Sequence, residues 1–180
     1  MIIKLLLVSL FFFNLNLFAK RYNEDTPNSL SLTYSPAFYR LQSNGGYMDT
    51  YAQLVGLRYT CLDYQDIRLG TNLTTGKFQT KLSADQTTTN IFGAGVTLGK
   101  EVYDDFWVSF VMGYETFSIS EPHKTTTYNC SSYGILLEKE IDLGRNLKLT
   151  PYGEFDYQIY SGDKVFSERI LIGISIGVYF

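Results

Sequence analysis

The sequence predicts an all-β chain, an eight-stranded antiparallel up-and-down barrel that crosses a bilayer, and three observations predict it. First, Ile170, Ile172, Ile174, Ile176, Val178 and Phe180 fall on one face of a final strand, with Leu171, Gly173, Ser175, Gly177 and Tyr179 on the other. A segment of about 9–11 residues with period-2 alternation is long enough to cross a bilayer as a tilted strand and too short to cross as a helix. Second, seven further segments show the same period. Third, tight turns alternate with longer, turn-rich connections, the two-rim pattern of a transmembrane barrel.

The strands are predicted at 29–40, 50–62, 65–75, 89–101, 105–118, 128–141, 147–160 and 167–180. The first sends Leu30, Leu32, Tyr34 and Phe38 outward, and the second Tyr51, Val55, Leu57, Tyr59 and Cys61. The third contributes Ile67, Leu69 and Leu73, and the fourth Phe92, Ala94, Val96 and Leu98. The fifth offers Phe106, Val108, Phe110, Met112 and Tyr114, and the sixth Tyr133, Ile135 and Leu137. The seventh sends out Leu149, Phe155, Tyr157 and Ile159, and the eighth the set already named. Polar residues and glycine collect on the opposite parity, among them Ser31, Thr33, Gly93, Gly95, Ser109 and Gly113. Alternation alone also fits a soluble sandwich, so the connections decide. Those at Leu41–Asp49, Gly76–Thr88, Ile119–Thr127 and Ser161–Phe166 read as outer loops, and those at Asp63-Tyr64, Val102–Asp104 and Asp142–Asn146 as periplasmic turns. Both termini then lie in the periplasm.

Residues 1–19 read as a secretory signal: Lys4, an apolar run Leu5–Phe13, two asparagines, and Ala19 as the cleavage residue. Cleavage leaves 180 − 19 = 161 residues, one domain at 20–180, enough for eight strands and their connections. The formal net charge of −3 becomes −3 − 1 = −4 without Lys4, which argues against a nucleic-acid partner. Fifteen tyrosines and thirteen phenylalanines against one tryptophan suit aromatic girdles at the membrane boundaries.

Cys61 and Cys130 are an even pair in an exported chain, ordinarily a disulfide. The strand map sets them at opposite ends of an apolar band about 25 Å tall, far beyond the roughly 7 Å a disulfide tolerates between Cα atoms. Two free thiols are predicted. Metal and cofactor sites are not expected, because one histidine and two separated cysteines do not make a transition-metal cluster.

The inward parity carries Arg58, Asp66, Arg68, Glu115, Glu138, Lys148, Glu154, Asp156 and Arg169. Inside so narrow a barrel these charges either pair with one another or surround a thin aqueous path. Pairing gives an electrostatic plug; the excess of carboxylates motivates the alternative, a narrow cation-selective channel. The Thr-rich runs Gln86–Asn90 and Lys124–Tyr128 read as outer strand extensions, or as an adhesive surface for a host or surface ligand. Asn72-Leu-Thr74 and Asn129-Cys-Ser131 match the glycosylation acceptor pattern, read here as chance.

With its signal segment, eight alternating strands, long outer loops, tight periplasmic turns and terminal Phe180, the chain over 20–180 resembles the small bacterial outer-membrane barrels of the OmpA transmembrane-domain, OmpX and opacity-protein type. The resemblance implies location in the outer membrane among lipids and lipopolysaccharide. It also implies that Ile172, Ile174, Ile176, Val178 and Phe180 form an assembly signal read by the barrel-insertion machinery. The chain ends with its eighth strand, so a peptidoglycan-binding domain is not expected. Function reads as non-enzymatic, envelope-structural or surface-interacting. The remaining alternative is a lipid A-modifying enzyme. Its apparatus would start from His123 with Thr125, yet the deacylase pattern places histidine and serine on a strand, whereas His123 sits beside Pro122 in a loop. The palmitoyltransferase pattern has its histidine in the first outer loop, where this chain has none.

Overall fold

In the computed structural model, residues 28–43, 46–64, 67–82, 85–121, 124–144, 146–161 and 166–180 are described. Residues 1–27, Asp66 and His123 lie outside them. The strands are β1 (Ser29–Ser43), β2 (Gly46–Tyr64), β3 (Ile67–Leu82), β4 (Asp85–Tyr103), β5 (Phe106–Glu121), β6 (Lys124–Lys139), β7 (Ile141–Gly144), β8 (Leu147–Tyr160) and β9 (Phe166–Tyr179). All pairings are antiparallel between sequence neighbours, apart from β6 with β8 and β9 with β1, the pairing that closes the sheet. β7 is the continuation of β6 beyond Glu140, because Glu138 opposite Tyr152 and Ile141 opposite Leu149 keep one register. Eight barrel strands result, and closure leaves no sheet edge in the hydrocarbon, where an unpaired backbone group has no water to turn to.

The stagger can be read directly from the register. Ser29 faces Thr60, Thr60 faces Gly70, Gly70 faces Thr97, Thr97 faces Val111, and Val111 faces Gly134. Gly134 faces Asp156, Asp156 faces Arg169, and Arg169 faces Tyr39 on the strand where the circuit began. One turn thus advances 39 − 29 = 10 residues, which for eight strands corresponds to a tilt of roughly 40°.

The outward face is apolar around the whole circumference, with Leu32 64% and Ile172 61% exposed, and Leu57, Phe92, Phe110, Ile135, Phe155 and Ile176 also uncovered. The inward face carries Ser31, Thr33, Arg58, Arg68, Glu115, Glu138, Asp156 and Arg169, all buried. This inversion of a soluble protein is stable only with lipid as the outer solvent.

Several expectations are corrected. Cys61, expected on the exposed apolar face, is buried: the β2–β3 register shifts between Thr60 and Leu62, so Cys61 is the extra residue of a bulge, and its thiol approaches the Leu69 carbonyl at 3.4 Å. Both cysteines are buried and free. The outer connections expected at Leu41–Asp49, Gly76–Thr88 and Ile119–Thr127 are mostly strand, since pairing continues to Ser43↔Gly46, Leu82↔Asp85 and Glu121↔Lys124. Their Ser, Thr and Gln residues carry no apolar face and so hid the strands. Phe166, expected in a loop, begins β9. At the periplasmic rim Asp63 and Tyr64 belong to β2. The β4–β5 turn is Asp104-Asp105, φ 40° and 59°, the doubly left-handed pair that suits a two-residue hairpin.

The closing seam is distinctive. Its register runs from Ser29↔Tyr179 to Leu41↔Ser167 but lapses at Ser35 and Pro36, where proline has no N–H to give. Opposite the lapse, Gly173 receives the ring of Tyr152, its partner on β8; a Cβ there would lie 2.5 Å from the ring. The seam's end is secured by reciprocal backbone bonds between Asn28 and Phe180, at 3.2 and 2.9 Å, and by Phe180 stacking on Tyr59 with centroids 6.4 Å apart.

The belt makes a direct prediction. Leu57→Arg is expected to cost about 2–4 kcal/mol in urea titrations of the protein refolded into vesicles, whereas Thr127→Arg at the outer rim should cost under about 1 kcal/mol.

Candidate functional site

The barrel interior is the one place where charged side chains converge among the described residues, and it is layered. At its centre Arg169 of β9 is the hub. Its Nε and Nη2 donate to Asp156 Oδ2 at 2.8 and 2.5 Å, Nη2 also reaches Glu154 Oε1 at 3.3 Å, and Nη1 donates to Glu115 of β5 across the lumen. Gln158 Nε2 donates to the other Glu115 oxygen at 2.9 Å, and Ser167 Oγ donates to Gln158 Oε1 at 2.5 Å. Asp156 and Arg169 meet because they face each other in the β8–β9 register.

The second layer lies toward the periplasmic rim. Glu138 of β6 accepts from Arg58 of β2, four strands away around the ring and thus diametrically opposite, and from Arg68 of β3. Glu140 Oε1 accepts from Arg68 Nη1 at 2.6 Å and Lys148 Nζ at 2.7 Å, and its Oε2 from the Tyr179 hydroxyl at 3.0 Å. Three cations lie against aromatic faces: Arg68 is 4.1 Å from the Trp107 ring centroid, Lys148 4.6 Å from Tyr179 and Arg58 5.0 Å from Tyr152.

Of the residues the sequence places inside, Arg58, Arg68, Glu138 and Lys148 come together in the lower layer, and Glu115, Glu154, Asp156 and Arg169 in the upper. Asp66 lies outside the described residues. Glu140 was missed, since it stands beside a turn and past the last apolar position of its strand. The apolar cap was missed as well. Ala37, Tyr39, Ala52, Leu54, Phe78, Ile91, Phe117, Cys130 and Leu171 form one buried cluster, with Tyr160 against it, filling the outer part of the lumen. Tyr39 and Phe117 meet edge to face at 6.0 Å, and Phe117 and Tyr160 lie 5.6 Å apart. Ile172, Ile174, Ile176, Val178 and Phe180, the residues expected to form an assembly signal, are all exposed on the outward face. Asn72, by contrast, faces the lumen beside Thr74, out of reach of glycosylation.

Glu140 stands in the break between β6 and β7, level with the outward Lys139–Asp104 ion pair (3.4 Å) and so at the membrane boundary. Burial pushes its carboxyl up, but Arg68 and Lys148 outweigh burial and hold it below its ordinary range.

No family model matches the chain, and no curated protein matches it in sequence. Solved structures do. Neisserial surface protein A aligns over 84% of this chain and 97% of its own, with TM-score 0.58 and 13% identity. Ail, the attachment invasion locus protein of Yersinia pestis, aligns over 84% and 99% with TM-score 0.57 and 11% identity, and has also been solved with the heparin analogue sucrose octasulfate. The fold is that of the small outer-membrane barrels. AlkL, an outer membrane protein studied in lipid bilayers, aligns over 88% and 95% with TM-score 0.52 and 9% identity. At these identities the likeness concerns the barrel alone.

Two predictions follow from the layers. Arg169→Met strands three buried carboxylates and is expected to destabilise the barrel by about 3–5 kcal/mol in urea titrations, against at most about 1 kcal/mol for Arg40→Ala, whose partner Asp49 and itself are largely exposed. Glu140→Gln should lower stability at pH 7 by about 1–3 kcal/mol. Because folding depresses this carboxyl, its contribution is present above the unfolded pKa of about 4.3 and fades as pH falls through the folded value. The gap between variant and parent should therefore narrow in titrations at pH 3.

Proposed function

We propose that the protein is a non-enzymatic integral component of the bacterial outer membrane, exported by residues 1–19, with a closed interior and a surface-contact role at its outer rim. The observation that carries this reading is the filled lumen. Among the described residues the two lumen cavities, one between the ion layers and one within the lower layer, are only about 30 and 10 Å³, room for a few water molecules and not for a hydrated ion path.

The contact surface is the part of the sheet that rises beyond the closed barrel. Pairing of β2 with β3 ends at Gln53↔Lys77 and that of β6 with β8 at Cys130↔Tyr160. Within β3–β6 it continues outward to the hairpin tips. Four strands thus project together, carrying Thr125–Thr127 with Thr125 and Thr127 exposed. Polar and edge-bearing, such a sheet suits contact with a host molecule or neighbouring surface. Outer-membrane lipid and lipopolysaccharide are the barrel's surroundings, and the barrel-insertion machinery is the proposed reader of its last strand.

A narrow cation channel is the second reading, favoured by one observation: among the described residues five interior carboxylates, Glu115, Glu138, Glu140, Glu154 and Asp156, face four cations, Arg58, Arg68, Lys148 and Arg169. Planar-bilayer recording separates the two. The closed barrel should be silent, and reproducible steps that change in Glu115→Gln or Glu154→Gln would establish the channel instead. For the contact role, replacing Thr125–Thr127 by alanine should reduce surface attachment while leaving the amount of folded barrel unchanged. Deleting Phe180 should reduce outer-membrane insertion, measured as heat-modifiable protein in the membrane fraction.

A further inference from the structure

Arg58 and Asn72 face each other directly across β2 and β3, and both turn into the lumen. Cross-strand partners of this kind stand about 5 Å apart at Cβ. Arg58 Nε is a buried donor with no acceptor, and Asn72 Oδ1 is a buried acceptor with no donor. Both residues border the same cavity of about 30 Å³, which separates the two ion layers, with Glu115, Glu154 and Arg169 on its upper side. The room exists because the register row that begins Arg58–Asn72 continues through Gly95, Gly113 and Ser132. A Cβ on Gly95 would collide with Asn72 Oδ1, and one on Gly113 would meet Ser132 Oγ at 2.6 Å.

We propose that this cavity is a binding site for one or two ordered water molecules, which accept from Arg58 Nε, donate to Asn72 Oδ1 and to Glu154, and so join the two ion layers into one network. The chemistry selects water over an ion. A cation would answer Asn72 but would face two guanidinium groups and take nothing from Nε–H. An anion would answer Arg58 but would face two carboxylates and donate nothing to Asn72. Water alone both donates and accepts, and the volume exceeds the roughly 10–15 Å³ that one molecule needs. Leu54 and Leu171, members of the apolar cap, bound the site above. Below, Arg58 also borders the smaller cavity, whose Thr150 hydroxyl is a further buried orphan. A buried polar atom left unmet loses its hydration with nothing in return, so two matched orphans beside one polar void form a built site.

The test is water–protein cross-relaxation NMR on the isotope-labelled barrel refolded in nanodiscs. Cross-peaks with the sign of long-lived water are expected at the Val111 methyls and the Gly95 and Gly113 amides, all of which line the site. Val111→Phe, which fills it, should abolish them, while the lipid-facing control Phe92→Leu should leave them intact. Asn72→Leu keeps the volume, removes the acceptor, and should weaken them at least severalfold. The proposal is overturned if the assigned wild-type resonances show no such peaks, or if the peaks survive unchanged in both Val111→Phe and Asn72→Leu. The wild-type spectrum decides the first point even where a variant fails to fold.

Discussion

Everything in this molecule follows from the need to give each backbone N–H and C=O a partner in a solvent that offers none. In hydrocarbon an open sheet would leave two rows of unpaired groups, so the sheet must meet itself, and eight strands are few enough to make the resulting tube narrow. Narrowness then dictates the interior. Arg58 can reach Glu138 from the opposite wall, and Arg169 can reach Glu115 across the lumen. Such cross-lumen pairs act as struts, so the diameter that closure imposes is also the diameter at which opposite charges meet.

The interior does not rely on charge alone. Its outer part is filled with aromatic and aliphatic groups and its inner part with ion pairs, so the two ends meet different solvents. The periplasmic mouth keeps Glu140 and Lys148 close to water, whereas Tyr39, Phe78 and Phe117 close the opposite end with rings. A cap of rings fills that end without burying further charges, each of which would have to be desolvated and then paired.

Much of this was legible in the sequence because lipid enforces parity. Leu32, Leu57, Phe92 and Ile176 could be assigned outward, and Arg58, Glu115 and Arg169 inward, since a period-2 chain between two unlike solvents has one acceptable phase. What stayed hidden obeys other rules. Cys61 is buried at a bulge that carries no residue signature. Leu54, Ile91, Phe117 and Leu171 are apolar on the inward parity, so they blend into the apolar strands around them. Strand ends such as Gln79–Lys81 lack an apolar face once they leave the membrane, and a polar strand reads as a loop. The pairing of individual charges depends on a stagger of ten residues that only the closed register reveals.

The closing seam has a kinetic meaning. Every other strand pair joins neighbours in the chain, but Ser29 and Tyr179 are 179 − 29 = 150 residues apart. The loop-closure entropy of the whole fold is thus concentrated in one event, the docking of β9 onto β1. Until that event the growing sheet carries two raw edges, and afterwards it carries none within the barrel wall. A partly opened barrel in lipid would have to expose both edges together, which makes unzipping all-or-none. Once inserted, the protein persists for as long as that seam holds, and its lifetime is set by the height of a barrier and not by the depth of an equilibrium.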